Sequence, residues 1–178
     1  MGAAGETRHE MKRLVADTGP ILHLHEAGAL HLLPLIGEVL LPQLVVTELR
    51  IHAPALWAGS LPEWAKLQTL SPENQQRATQ WQLAGLLHGG EAASLALAIE
   101  IERDWFLTDD AAARMMAESF GLEVHGSIGV VLWAAAHKLT EKAEAQRHLS
   151  GLEQSSLWMS RQVRTQARDA MEKLFASD

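Results

Sequence analysis

Short aliphatic segments alternate with longer helical segments along most of this sequence, and turn-forming residues separate them. The aliphatic segments have the length and composition of strands, and they span residues 13–16, 38–41, 65–70, 105–108 and 122–125. A chain that alternates in this way favours right-handed crossovers between parallel strands. The sequence therefore predicts an α/β fold with three layers, in which helices cover both faces of a mostly parallel central sheet.

Helical patterns fill the segments between the strands. They predict helices at residues 21–33, 42–50, 71–88, 91–102, 109–120 and 127–137, and two more within 140–178. The segment 51–62, which is rich in proline, glycine and alanine, is predicted to be irregular. Because 178 residues suffice for one core and no linker divides them, residues 11–178 are predicted to form a single domain.

Composition limits the classes of function. Residues 1–10 are small and polar and contain no targeting signal, so we expect a disordered extension, with Met11 as an alternative start. The absence of cysteine excludes disulfides and zinc–thiolate sites and is typical of a cytoplasmic protein. The longest apolar run, 128–136, is too short to cross a bilayer. A formal net charge of −7 argues against binding a long nucleic acid by positive charge alone.

Five carboxylates are candidate functional groups, because they follow predicted strands or lie on the apolar faces of predicted helices. They are Asp17, Glu48, Glu91, Asp109 and Asp110. In parallel α/β folds, ligands bind at the carboxyl ends of the strands. The sequence therefore predicts that these acids share one edge of the sheet.

Each carboxylate also has a purely local interpretation. We favour it for Asp17 taken alone, because aspartate before Gly-Pro is typical of turns and helix caps. Arg50 is an alternative partner of Glu48. Glu91, in a first helical turn, is favoured by the helix dipole. Within the aspartate pair, one residue can cap the next helix, and Arg114, four residues after Asp110, is an alternative partner of Asp110.

Together, the acids predict a metal site. A cluster of like charges is costly unless a cation neutralises it, and hard oxygen ligands select Mg²⁺ or Mn²⁺. Two such ions can support the hydrolysis of a phosphodiester. No serine–histidine or cysteine–histidine pairing near the acids indicates covalent catalysis. The pattern is therefore typical of metal-dependent phosphodiester hydrolysis.

Four motifs around these acids resemble, in the same order, the acidic motifs of PIN-domain nucleases, and in particular those of VapC-like toxins. The motifs are Val15-Ala16-Asp17-Thr18-Gly19-Pro20, Val46-Thr47-Glu48-Leu49, Gly90-Glu91-Ala92-Ala93 and Leu107-Thr108-Asp109-Asp110. The following segment 126–130 also resembles this branch. The resemblance implies a Rossmann-like α/β/α domain whose acids hold Mg²⁺ or Mn²⁺. It also implies an RNA substrate, a homodimer, and a cognate antitoxin that silences the toxin.

Two positions depart from the family's common pattern. The third acid is Glu91 where many relatives have aspartate, and the adjacent Asp109 and Asp110 leave the fourth ligand ambiguous. The Thr-x-Asp spacing favours Asp110 as the metal ligand, with Asp109 supporting it.

Other conspicuous residues are assigned no site. The nine histidines show no paired ligand spacing, and each is interpreted as a surface or half-buried residue. Trp133 and Trp158 are the best candidates for interface anchors. The helical stripe of Arg161, Arg164 and Arg168 is interpreted as a solvated face, with contact to RNA or antitoxin as the alternative.

The leading hypothesis is a Mg²⁺/Mn²⁺-dependent endoribonuclease that is the toxin of a toxin–antitoxin pair. The alternative from another class is a catalytically silent PIN-like module that binds a protein or RNA partner. Retention of all four acidic positions disfavours that alternative. A phosphatase with Asp17 as its nucleophile is less favoured still, because no second aspartate follows two residues later.

Overall fold

The computed structural model describes residues 11–176, which form a five-stranded sheet with helices on both faces. The strands are β1 (Lys12–Ala16), β2 (Gly37–Pro42), β3 (Ala65–Gln68), β4 (Trp105–Leu107) and β5 (Val124–His125). The helices are α1 (Thr18–Glu26), α2 (Leu32–Ile36), α3 (Gln43–His52), α4 (Pro54–Trp57), α5 (Pro72–Leu83), α6 (Gly89–Glu100), α7 (Ala111–Ser119), α8 (Ser127–Ala136), α9 (Lys142–Gln154) and α10 (Arg161–Phe175). The expected disorder of residues 1–10 lies outside the described residues.

The strands run in the order β3-β2-β1-β4-β5, and every neighbouring pair is parallel. Successive side chains of a strand point to opposite faces, so β1 contributes to two cores. Leu14 and Ala16 pack in one buried cluster with helices that include α1, α3, α8 and α9, whereas Val15 packs in another with α5, α6 and α7. These two clusters separate three layers, which confirms the predicted α/β fold class.

The strand order places a topological switch point beside β1. The chain proceeds outward from β1 through β2 to β3, and then returns to β4 on the other side of β1. The backbone N–H of Asp17 donates to the carbonyl of Leu107 over 2.9 Å, which extends the pairing of β1 and β4 to their carboxyl ends. A crevice outside such a switch point is where open parallel sheets bind ligands.

Two predicted helices end earlier than their apolar pattern indicates. The single helix predicted at 21–33 is wrong, because Gly28 adopts a φ of 68° after α1 and a separate α2 follows. The helix predicted at 71–88 ends at Leu83, and Gly85 has a φ of 67°. Glycine enters this left-handed conformation without a Cβ penalty, so it ends a helix that apolar spacing alone would continue.

The segment predicted to be irregular, 51–62, contains α4 and a core residue. Trp57 at the end of α4 is fully buried and lies 5.9 Å from Trp64, ring centre to ring centre. The single turn is therefore held by burial of an aromatic ring rather than by helix propensity. No helix within residues 11–176 combines the length and the apolar character needed to cross a membrane.

Candidate functional site

A cleft of about 410 Å³ opens at the switch point, and all five predicted acids line it. Asp17 reaches the cleft directly after β1, and Asp109 and Asp110 reach it shortly after β4. Glu48 comes from α3 and Glu91 from the first turn of α6. The structure therefore brings together side chains that are up to 93 positions apart, from Asp17 to Asp110.

Asp17 lies deepest in the cleft, with 4% of its surface exposed. Its Oδ1 accepts a hydrogen bond of 2.6 Å from the backbone N–H of Thr18, and its Oδ2 accepts one of 3.2 Å from the hydroxyl of Thr108. The first of these bonds caps α1, which confirms the local interpretation of Asp17. The cap and the position in the cleft are compatible, because α1 begins at the cleft wall.

The environment of Asp17 favours its protonated form. The pKa of Asp17 is raised from 3.8 to about 7, mainly by burial, and the charges of Glu91 and Glu48 contribute to the rise. The hydrogen bonds from Thr18 and Thr108 act in the opposite direction. Without a cation, the carboxylate is therefore destabilised mainly by loss of water and only secondarily by the neighbouring acids.

Glu48 is fixed by the start of α1 and by a glycine of α6. The hydroxyl of Thr18 donates a hydrogen bond to Glu48 Oε2. A Cβ atom at Gly90 would lie 2.3 Å from the same oxygen, so the absence of a side chain there makes room for the carboxylate. Arg50, the alternative partner of Glu48, instead donates to the carbonyl of Trp57 over 3.2 Å.

Glu91 both caps a helix and lines the cleft. Its Oε2 accepts a hydrogen bond of 2.7 Å from the backbone N–H of His88, which precedes α6, and lies 3.3 Å from Nδ1 of the same residue. The side chain is 18% exposed, and the exposed part faces the cleft. The same carboxylate therefore completes the cap of α6 and lines the cleft.

The two adjacent aspartates have different hydrogen-bond partners. Asp109 Oδ1 accepts a hydrogen bond of 2.7 Å from the backbone N–H of Ser127. Asp109 Oδ2 accepts a hydrogen bond from the Ser127 hydroxyl and lies 2.7 Å from His23 Nδ1. Asp110 caps α7 through Oδ1, which accepts 2.7 Å from the N–H of Ala113. No hydrogen bond from residues 11–176 reaches Asp110 Oδ2. Asp110 therefore keeps one oxygen for a ligand, whereas both oxygens of Asp109 are engaged.

Arg114 is not the partner of Asp110. Its guanidinium donates to the carbonyls of Thr108 and Val124 over 3.4 and 3.3 Å, and it lies 3.9 Å from Glu118. The sequence-based alternative is wrong because Arg114 points along the end of the sheet and not into the cleft. The charge of Asp110 consequently has no basic side chain beside it on α7.

Comparison with known families identifies the domain. The chain matches the family model DUF3368, described as a PIN domain, over residues 13–173. The chain belongs to the PIN-domain family. PIN domains are generally nucleases, so the family places the chain among hydrolases. None of the curated proteins and none of the solved structures compared with the chain gave a significant match.

The acids of this PIN domain form an open site rather than a tight cage. Among residues 11–176, no three of the cleft carboxylates bring their oxygens within 4.8 Å of one another. Mg²⁺ keeps several waters and is commonly bound by only one or two carboxylates, so this spacing fits a hydrated divalent ion. The buried Asp17 and the space for Glu48 beside Gly90 support the same fit.

Several cleft residues were not recognised as functional in the sequence. Thr18 and Thr108 each contact two acids or their backbone, and His23 contacts Asp109. His23 could have been selected from the sequence, because it lies four residues after Gly19 and therefore on the same face of α1, which is the cleft side. Trp158, predicted as an interface anchor, is 82% exposed and lines the cleft, and its role at an interface stays a prediction.

The other residues singled out from the sequence lie elsewhere. Trp133 is half-buried, and its ring lies 5.1 Å from that of Trp105. Arg161 and Arg164 are exposed, as expected for a solvated face. Arg168 pairs with Glu153: its Nε donates a hydrogen bond of 2.7 Å to Glu153 Oε1.

Gly90→Ala is expected to weaken Mn²⁺ binding about tenfold, because the new Cβ atom would displace the carboxylate of Glu48. The domain should remain folded, since only the end of a flexible side chain must move. Gly89→Ala is the matched control: its Cβ would press on Leu44 at 2.9 Å but stay 3.7 Å from Glu48 Oε1. Titration calorimetry with Mn²⁺ measures both variants, and equal affinities would contradict the assigned role of Gly90.

Proposed function

We propose that this PIN domain is an endoribonuclease that hydrolyses RNA phosphodiester bonds with Mg²⁺ or Mn²⁺. The observation that supports the proposal most directly is the convergence of five carboxylates on one cleft, with Asp17 almost completely buried among them. Burying a carboxylate beside other acids is unfavourable unless a cation neutralises it. A catalytically silent module would have no need for this arrangement.

Two threonines hold the acids in position. Thr18 donates from its N–H to Asp17 and from its hydroxyl to Glu48. Thr108 donates from its hydroxyl to Asp17, and the same oxygen accepts 3.2 Å from the N–H of Asp110. When bound, the divalent ion would polarise the scissile phosphate and lower the pKa of the attacking water. The two threonines orient the carboxylates of Asp17 and Glu48 and hold the backbone of Asp110 before substrate arrives, which favours catalysis by positioning.

The cleft entrance supports a single-stranded RNA substrate. Trp158 and Leu157 lie in the segment between α9 and α10, at the entrance. An exposed indole provides a surface on which a base can stack, at about 1–3 kcal/mol per base. The net charge of −7 favours a short unpaired segment near the ions over a long duplex held by basic residues.

We further propose that the nuclease is the toxin of a toxin–antitoxin pair, is a homodimer, and acts in the cytoplasm. The support is the order of its four acidic motifs, which resemble those of VapC-like toxins, together with the absence of cysteine. An antitoxin that covers the cleft entrance would explain why Trp158 is left exposed. A chain that is monomeric by light scattering would contradict the dimer.

The function is tested by incubating the purified chain with structured RNAs and with DNA of the same sequence. Cleavage is expected only for RNA, at unpaired positions, and only with Mg²⁺ or Mn²⁺. Excess EDTA should stop the reaction, and added Mn²⁺ should restore it. Full activity in EDTA would refute the metal-dependent mechanism, and equal cleavage of DNA would refute the RNA assignment.

A further inference from the structure

Three potential metal ligands meet at a second place in the fold. His31 immediately precedes α2, and Glu144 and His148 are one turn apart on α9. Their ligand atoms all lie within 4.8 Å of one another. Within residues 11–176, no other three histidine, aspartate or glutamate residues bring their ligand atoms this close. None of the three lines the acid cleft. We call this group the His31–Glu144–His148 cluster.

The distances in the cluster suit a small tetrahedral ion. Glu144 Oε1 lies 3.5 Å from Nε2 of His31 and 3.6 Å from Nε2 of His148. With zinc–ligand bonds of about 2.0–2.1 Å, two ligands of a tetrahedron are about 3.3 Å apart. The two imidazole rings are 5.1 Å apart, centre to centre, and meet edge to face, so both nitrogens can approach one ion.

His148 supplies an independent indication of a ligand. Its side chain is 8% exposed, and its Nε2 has no hydrogen-bond partner. The backbone carbonyl of Ala27 acts on the same ring and raises the pKa of His148, against the larger effect of burial, which lowers it. A metal-binding histidine commonly donates one ring N–H to a carbonyl and directs the other nitrogen to the ion. A buried imidazole nitrogen without a partner otherwise costs free energy.

Neighbouring residues orient Glu144 and bring the members of the cluster together. The hydroxyl of Thr140 donates to Glu144 Oε2 over 3.0 Å, which leaves Oε1 facing the two histidines. Gly151 lies on the same side of α9, where a Cβ atom would come within 2.8 Å of the carbonyl of Ala27. This close approach of α9 to the end of α1 brings His148 and His31 together.

We propose that His31, Glu144 and His148 form a structural site for a divalent transition metal of the zinc class, with water as the fourth ligand. Two imidazoles and one carboxylate favour Zn²⁺ over Mg²⁺, which prefers oxygen ligands. The side chains of His31 and Glu144 are 51% and 37% exposed, so water and metal have access. The ion would join α9 to the turn between α1 and α2. Because α1 carries Thr18 and His23, an ion that holds the end of α1 would also stabilise one wall of the acid cleft.

The test uses the full chain without an affinity tag, stripped with EDTA and dialysed. Zn²⁺ is titrated by calorimetry in excess Mg²⁺, which occupies the acid cleft. We expect one Zn²⁺ per chain, and at least tenfold weaker binding in His31→Ala and in Glu144→Gln, at an exposed and a half-buried position respectively. His52→Ala, which removes an exposed histidine elsewhere, is the matched control and should bind as the wild type does.

Co²⁺ provides a second measurement, because four-coordinate Co²⁺ gives strong visible absorption. The wild type and Asp17→Asn should show these bands, and His31→Ala should not. Failure of the wild type to bind Zn²⁺, or unchanged binding in both His31→Ala and Glu144→Gln, would overturn the proposal. Loss of binding in Asp17→Asn alone would place the ion in the acid cleft and would also overturn it. Neither readout depends on RNA cleavage, so the nuclease proposal is tested separately.

Discussion

Asp17→Asn is expected to lower the rate of RNA cleavage by roughly a hundredfold to a thousandfold, the effect typical of losing one preorganised electrostatic group. Asparagine has nearly the same shape, and its side-chain oxygen can still accept from the N–H of Thr18 to cap α1. The variant lacks the negative charge that would hold a divalent ion at the deepest point of the cleft. The loss should therefore be one of activity and not of folding.

The control for this prediction is Asp169→Asn, which removes an exposed aspartate on α10 outside the cleft. Its rate should equal that of the wild type. Circular dichroism of all three proteins checks the fold, and growth of cells expressing each chain tests the toxin role. If Asp17→Asn cleaves RNA at the wild-type rate, the acid cleft is not the catalytic site.

The fold and the acid cleft were predictable because both depend on local patterns combined with one topological rule. Strands such as 13–16 and 105–108 are short, mostly apolar and followed directly by aspartate. In a parallel sheet their carboxyl ends must lie at one edge, so Asp17 and Asp110 are brought together whatever the loops do. Glu48 and Glu91 followed from acids on otherwise apolar helical faces.

What the sequence could not predict depends on backbone conformation and on tertiary packing. The end of α1 is set by the positive φ of Gly28, which apolar spacing does not reveal. The hydroxyls of Thr18 and Thr108 contact acids only after the strands have paired. Threonine at such positions is also common for local reasons, so its presence alone indicates no site.

The histidine cluster illustrates the same limit over a longer distance. His31 and His148 were interpreted as surface or half-buried residues, and for His148 this was wrong, because it is 6% exposed. Glu144 and His148 do have the one-turn spacing of a pair of ligands. The third member, His31, is brought to them by the packing of α9 against the end of α1, which no local pattern records.

The stability of the metal-free protein is expected to fall as the pH rises from about 4 to about 7, because of Asp17. Its pKa is about 7 in the folded protein, against 3.8 for an unperturbed aspartate such as that of the unfolded chain. The folded state therefore binds this proton more tightly than the unfolded state does. The resulting stabilisation is fully present below pH 3.8 and is lost as the pH rises through 7. Over about three pH units it amounts to at most roughly 4 kcal/mol.

Asp17→Asn isolates this effect, because every other titrating group is common to both proteins. The difference in unfolding free energy between wild type and variant, measured by urea denaturation in EDTA, should decline from pH 4 to pH 7 and then stay constant. Mn²⁺ should stabilise the wild type at pH 7 by RT ln(1 + [L]/Kd), about 2.7 kcal/mol at a hundredfold excess over Kd, and the variant by less. A difference that does not change with pH would mean that Asp17 is not buried as a proton-binding carboxylate. An equal response to Mn²⁺ would mean that it does not hold the ion, and the assignment of the acid cleft as the metal site would then be wrong.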